Sequence, residues 1–248
     1  MSKKTALVTG GTGGLGTAIC KTLANRGDVV IACHLPHELE QASQWQAQLK
    51  QEGIDANIIA GDVGSFDAAA SMISTIEAEF GWIDILVNCA GITRDSTLRK
   101  MDEKDWDDVI NVNLSSVFNV TRHVIEGMTE RGYGRIVNIS SVNGQRGQFG
   151  QTNYSAAKAG MHGFTMSLAQ ESARKGVTVN TVSPGYIDTS MTAAMPDEIR
   201  TSIVAGIPVG RIGEPQDIAH TIGFLTLEQT SYITGANIPV NGGMFMSF

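Results

Sequence analysis

Only three cysteines occur in 248 residues, Cys20, Cys33 and Cys89. They are too few and too scattered for a disulfide framework or for zinc-ligand spacing, so reduced thiols and no metal site are expected. Prolines number six, and no Pro/Gly/Ser-rich run marks a linker between domains. No stretch approaches the roughly 18 consecutive apolar residues of a membrane-crossing helix. Cations are in the minority, 18 Lys and Arg against 25 Asp and Glu, for a net charge of −7. Without a dense basic patch, neither nucleic acid nor a membrane surface is expected as a partner. The opening MSKKTALVTGG passes from two lysines straight into a strand-like run, with no apolar signal region, which gives the expectation of a cytoplasmic protein.

What is present is a regular alternation. Short β-branched runs near 5–9, 29–33, 56–61, 83–88, 134–140, 177–182 and 237–240 are separated by longer helix-like segments, the longest at 103–128 and 152–174. Strands that alternate with helices predict a parallel sheet covered on both faces. The expected fold is therefore α/β, a doubly wound, seven-stranded parallel sheet in a single domain spanning 1–248. The longest departure from the alternation follows the sixth strand, and its prolines mark 188–213 as an insertion suited to a substrate lid.

TALVTGGTGGLGTAICKTLANRG sets a strand, a glycine cluster and an amphipathic helix in succession. Glycines in that context turn the chain sharply and let backbone N–H groups approach a pyrophosphate at a helix N-terminus. The alternative is a turn with packing glycines; a P-loop is excluded, because no Gly-Lys-Ser/Thr follows. Sheets that bind NAD usually end their second strand on an Asp or Glu for the ribose hydroxyls, but this strand ends in Cys33 and His34. The missing acid favours NADP(H) over NAD(H), with His34 or His37 as weak phosphate donors or simply as solvated loop residues. Asp62, in the GDV after the third strand, stands at the edge where an adenine amino group would lie, although turn chemistry alone also accounts for it.

Tyr154 and Lys158 are four residues apart at the start of a predicted helix and so project from one face. A phenol with a pKa near 10 is a poor acid or base at neutral pH unless a neighbouring cation stabilises its phenolate, a part that Lys158 can play. Ser141 ends the preceding strand, where its hydroxyl could hold a substrate oxygen beside Tyr154. His123, His162 and His220 lie inside helical patterns and are assigned no catalytic part.

Together TGGTGGLG, NCAG, the Asn of VNL, Ser141 and YSAAK resemble the short-chain dehydrogenase/reductase family along the whole chain. The resemblance implies a Rossmann-type fold, with Gly10, Gly14, Leu15 and Gly16 in the pyrophosphate turn and Asp62 and Val63 at the adenine. Asn88, Ala90 and Gly91 would line the cofactor floor. Pro184, Gly185 and Ile187 would form the turn facing the nicotinamide, with Thr189 as the following contact. Asn113 matches the asparagine that holds a relay water, Ser141 the carbonyl-orienting serine, Tyr154 the acid, and Lys158 the residue on the nicotinamide ribose. Two departures stand out: Cys89 replaces the second asparagine of the floor motif, and Gly13 stands where many NADP-dependent members carry Arg or Lys.

Within the family, GITRDSTLRKM, INVNLSSVFNVT and GRIVNISSVNGQRGQFGQTNYSAAKAG are similar to bacterial acetoacetyl-CoA reductases and, more distantly, to 3-oxoacyl-acyl carrier protein reductases. The implied substrate is a short β-keto thioester of coenzyme A or of acyl carrier protein, and the implied assembly is a homotetramer. Such a substrate needs donors for its second carbonyl and a small apolar wall. Gln148, Gln151 and Tyr186 are candidate donors, Phe149 is a candidate wall or a packing residue, and Asp95 follows the cofactor floor. Arg94, Arg99 and Lys100 are either contacts for coenzyme A phosphates or an ordinary solvated face. A dinucleotide-binding regulator without catalysis, or a sugar or steroid reductase, are the competing readings.

Overall fold

The computed structural model describes residues 3–189 and 196–246, so 190–195 of the expected lid lie outside the described residues. Seven strands, β1 (Thr5–Val8), β2 (Val29–His34), β3 (Asn57–Ala60), β4 (Ile85–Asn88), β5 (Gly134–Ile139), β6 (Val177–Pro184) and β7 (Asn237–Val240), form one sheet in the order β3-β2-β1-β4-β5-β6-β7. Every neighbouring pair is parallel. The order reverses between β1 and β4, which opens a crevice at the carboxyl edge where ligands of such sheets bind.

Alternation along each strand divides the core into two layers. Ala6, Val8, Val30, Ala32, Ile85 and Val87 face one way, against Ile19 and Leu23 of α1 (Gly14–Asn25) and Ile218 and Ile222 of the helix Pro215–Leu225. Leu7, Ile31, Leu86 and Ile136 face the other, against α3 (Phe66–Phe80), α5 (Ser116–Arg131) and α7 (Thr152–Ser172) through Ile73, Val120, Val124 and Ala169. Between β2 and β3 runs α2 (Leu39–Gln51). Among the described residues, no helix is long and apolar enough to cross a membrane.

The structure departs from the expected elements in two informative places. The helix predicted over 103–128 is three pieces: α4 (Glu103–Ile110), a π-helical turn (Asn111–Ser115) and α5. At the widened turn Asn113 turns its amide back onto the chain, donating to the Val109 carbonyl at 2.9 Å and so competing with the helical ladder. β6 runs two residues past its expected end, because Ser183 and Pro184 still pair with Pro239 and Val240 of β7. The described ends of the 188–213 insertion return to one point, where Ile187 bridges Gly213 and Asp188 N donates to the Gly213 carbonyl at 2.8 Å.

Under the crevice, a buried polar chain crosses the sheet. Asn88 donates to Asn138 at 2.8 Å, Asn138 to Thr165 at 2.9 Å, and the Thr165 hydroxyl meets that of Thr181 at 2.7 Å. β4, β5, α7 and β6 are thereby fixed relative to one another. Asn138→Ala removes one hydrogen bond each from Asn88 and Thr165, which keep Thr121 and Thr181 as partners, and is expected to cost about 1–3 kcal/mol in urea unfolding, since each buried hydrogen bond contributes roughly 0.5–1.5 kcal/mol.

Candidate active site

A cleft of about 790 Å³ lies along the carboxyl edge of the central strands. Its floor starts from the glycine turn after β1. Gly11 approaches β2 so closely that an added Cβ would lie 2.6 Å from that of Ala32, and one on Gly16 would collide with the Gly10 carbonyl oxygen. Gly13 caps α1 without a side chain, and Gly13, Gly14, Leu15 and Gly16 all border the cleft. A helix N-terminus wrapped in side-chain-free backbone fits a pyrophosphate. Opposite the turn, Thr9 leaves β1 and its hydroxyl accepts the Cys89 and Ala90 N–H groups at 3.0 and 3.1 Å, fixing the floor made by Cys89, Ala90 and Gly91.

Four elements converge on the deeper half. Ser141 caps the short helix α6 (Val142–Arg146), its hydroxyl oxygen accepting the Asn143 N–H at 3.1 Å. Tyr154 and Lys158 rise from the first turns of α7, both bordering the cleft. Lys158 is 3 % exposed, and its ammonium donates to the Ile139 carbonyl at 2.8 Å and lies 5.6 Å from the centre of the Tyr154 ring. From the π turn, Asn113 donates to the Ile92 carbonyl at 2.9 Å and accepts the Ile92 N–H at 3.2 Å, clamping the loop beyond Gly91.

Burial governs the electrostatics. It pushes the Tyr154 phenol up to about 12, although the Ser141 hydroxyl pulls the other way. Burial also pushes the Lys158 ammonium down to about 8. Removal from water outweighs the Ser141 hydrogen bond, and Tyr154 holds its proton at neutral pH.

Of the other residues singled out in the sequence, Asp95, Gln151, Pro184, Gly185, Tyr186, Ile187 and Thr189 border the cleft with Gly10, Ala90 and Gly91. Gln151 is more than a free donor: its amide donates to Asp95 at 2.9 Å and accepts from Asn143 at 2.9 Å. Asn88 is buried in the polar chain beneath the floor. Asp62 accepts the Gly64 N–H at 2.9 Å in a tight turn, while Val63 is a core residue whose carbonyl is held by Asn119 at 3.0 Å; neither borders the cleft. Two expectations are corrected outright. His34 is buried and its Nδ1 donates to the Leu35 carbonyl at 2.8 Å, so it does not face a phosphate. Gln148 and Phe149 stand outside the cleft, Phe149 88 % exposed, because Gly147 and Gly150, both at positive φ, turn the tip of the loop outward.

Sequence reasoning passed over several residues that the fold recruits. Glu38 and Gln41 border the cleft at the end of β2. Asn153, fully buried beside Tyr154, donates to the Arg94 and Asp105 carbonyls at 3.1 and 3.2 Å and ties α7 to α4. An Asn at a helix start was a visible signal, but its partners are some fifty residues away and carry no local mark.

The short chain dehydrogenase family model matches residues 4–200. An acetoacetyl-CoA reductase of Allochromatium vinosum is 62 % identical over 97 % of this chain and 98 % of its own length. One of Cupriavidus necator is 53 % identical over 99 % and 100 %. A 3-oxoacyl-[acyl-carrier-protein] reductase of Escherichia coli is 46 % identical over 98 % of both chains.

Burial raises the Cys33 thiol to about 12, the Cys89 thiol to about 11, and that of Cys20 higher still. Since the thiolate is the reactive form, the native protein at pH 8 is expected to leave the two buried thiols, Cys20 and Cys33, unmodified by a disulfide reagent such as DTNB, while all three thiols react after unfolding. Rapid modification of more than one thiol in the folded chain would contradict this reading.

Proposed function

The chain belongs to the short-chain dehydrogenase/reductase family, and from that premise we propose that it reduces acetoacetyl-CoA to (R)-3-hydroxybutyryl-CoA. The observation that carries the proposal is the convergence of Ser141, a protonated Tyr154 and a buried Lys158 beside a glycine cradle, in one cleft. The names of the relatives support the substrate, since two of those called acetoacetyl-CoA reductase reach 62 % and 53 % identity against 46 % for the carrier-protein reductase.

Gly10, Gly14, Leu15, Gly16, Ala90, Gly91, Pro184, Gly185, Ile187 and Thr189 would hold a reduced nicotinamide dinucleotide, which would supply a hydride when bound. The protein's part is the proton and the orientation. Ser141 accepts the Asn143 N–H while its own O–H lies against the Tyr154 phenol, from which it turns to donate to the substrate's keto oxygen. Tyr154 donates its proton to the same oxygen as charge develops there. Lys158 then stabilises the phenolate, and its charge is worth more for being out of water. Asn113 holds the loop beyond the floor and the water through which the proton is replaced. Asp95, Gln151 and Tyr186 border the thioester end.

The chain acts as one domain, with the 188–213 insertion bordering the cleft through Thr189. The implied tetramer is part of the same proposal: Phe118 and Met166, 49 % and 52 % exposed on α5 and α7, are apolar surface that would support it. Acyl carrier protein, in place of coenzyme A, is the alternative carrier.

Three outcomes check this reading. Acetoacetyl-CoA is expected to turn over faster than the carrier-protein thioester; a strong preference for the carrier protein would overturn the assignment. Tyr154→Phe keeps the fold and the binding of dinucleotide while lowering kcat by about 10²–10⁴, the usual contribution of a positioned acid. The rate of reduction is expected to fall as pH rises through about 8, because Lys158 loses its charge there instead of above 10. A profile level to pH 10 would remove the cation from the mechanism.

A further inference from the structure

The strand end that selects between the two dinucleotides carries no acid in its sequence, yet the fold brings one to it. Beyond His34, the 3-10 turn Pro36–Glu38 reverses the chain, and Glu38 Oε2 accepts the Leu35 N–H at 3.0 Å. A carboxylate is thus held against the first residue past β2, although it is three positions later in the sequence. Glu38 and Gln41 border the same cleft as the glycine turn, and among the described residues lining that cleft Lys158 is the one cation. Lys158 is committed to the Ile139 carbonyl at the opposite, catalytic end. The sequence contains no Lys or Arg between Arg26 and Lys50, and Arg26 is held by Asp28, Gly223 and Thr226. A second carboxylate stands near: burial raises the Cys33 thiol, and both Asp62 and Glu38 add to the rise, so two negative charges flank the end of β2.

We propose that Glu38 makes this protein select NAD(H) over NADP(H). Its free carboxylate oxygen accepts from the adenosine ribose hydroxyls, and its charge, with that of Asp62, repels a 2′-phosphate, for which the described residues bring no cation to this end of the cleft. The NADP(H) expectation drawn from the bare strand end is reversed, because the turn supplies the acid that the strand omits. This inference rests on the reading of the cleft as a dinucleotide site but not on the identity of the thioester.

The test is equilibrium binding of NADH and of NADPH to the substrate-free protein, followed by nicotinamide fluorescence. NADH is expected to bind at least tenfold more tightly. Glu38→Gln keeps an acceptor for the Leu35 N–H and removes only the charge, so it should narrow the ratio to under threefold, chiefly by improving NADPH. Should that variant fail to fold, the wild-type ratio measured in low and high salt decides, because repulsion of a phosphate is screened by salt and the gap should narrow. Tighter binding of NADPH, or a ratio indifferent to both the variant and salt, overturns the inference and leaves the reductase assignment standing. Tight NADH binding without turnover of acetoacetyl-CoA upholds it while refuting that assignment. Binding of neither dinucleotide overturns both.

Discussion

The Lys158 ammonium is a full charge kept out of water, with the Ile139 carbonyl oxygen as its hydrogen-bond partner at 2.8 Å. A charge so placed is tolerated only if the surrounding structure holds it rigidly and gains from it. Its depressed pKa shows the cost, and the phenol 5.6 Å away is what gains, since the phenolate left by proton transfer would find the cation in a poorly screened setting. Tyr154, raised to about 12, is poised in the opposite sense. One group is pushed toward losing its charge and the other toward keeping its proton, and the same removal from water causes both.

Holding those side chains in place falls to polar contacts that the sheet buries for the purpose. Ser140 donates to the Lys158 carbonyl at 2.8 Å, anchoring α7 to the end of β5. Gly144 lets α6 lie against α7, where a Cβ would come within 2.8 Å of the Lys158 backbone. Asn153 ties the same helix start to the loop after β4 and to α4, and the Asn88–Asn138–Thr165–Thr181 chain fixes the strands beneath. The catalytic end is therefore braced by α4, α6, α7 and three strands, whereas the adenosine end rests on one short turn. Such a division suits chemistry that needs fixed geometry at one end and a choice between two related dinucleotides at the other.

The parallel sheet, its seven strands and the Ser141, Tyr154 and Lys158 cluster were legible in the sequence because each is written locally. Strand runs alternate with helices, glycines crowd one turn, and a four-residue spacing sets two side chains on one helical face. What was not legible depends on distant partners or on backbone shape. The π turn arises because Asn113 competes for the Val109 carbonyl, which no periodicity records. The three triplets GQR, GQF and GQT at 144–152 look equivalent in the sequence, yet positive φ at Gly147 and Gly150 throws Gln148 and Phe149 outward, while Gln151 turns in to meet Asp95 and Asn143. Glu38 was invisible for the same reason: its position in the chain says helix start, and its carboxylate belongs to the strand end.

The central claim is that Tyr154 reaches the keto oxygen as a proton-bearing acid, kept so by burial and opposed by a cation that matters only after transfer. Carbon-13 labelling of the tyrosine ring at Cζ, with Tyr154 assigned by its loss in Tyr154→Phe, reads the phenol's state directly by NMR. The account predicts that this resonance keeps its protonated shift at pH 7 and through pH 10, where exposed tyrosines have begun to ionise. A phenolate shift at pH 7 would contradict it.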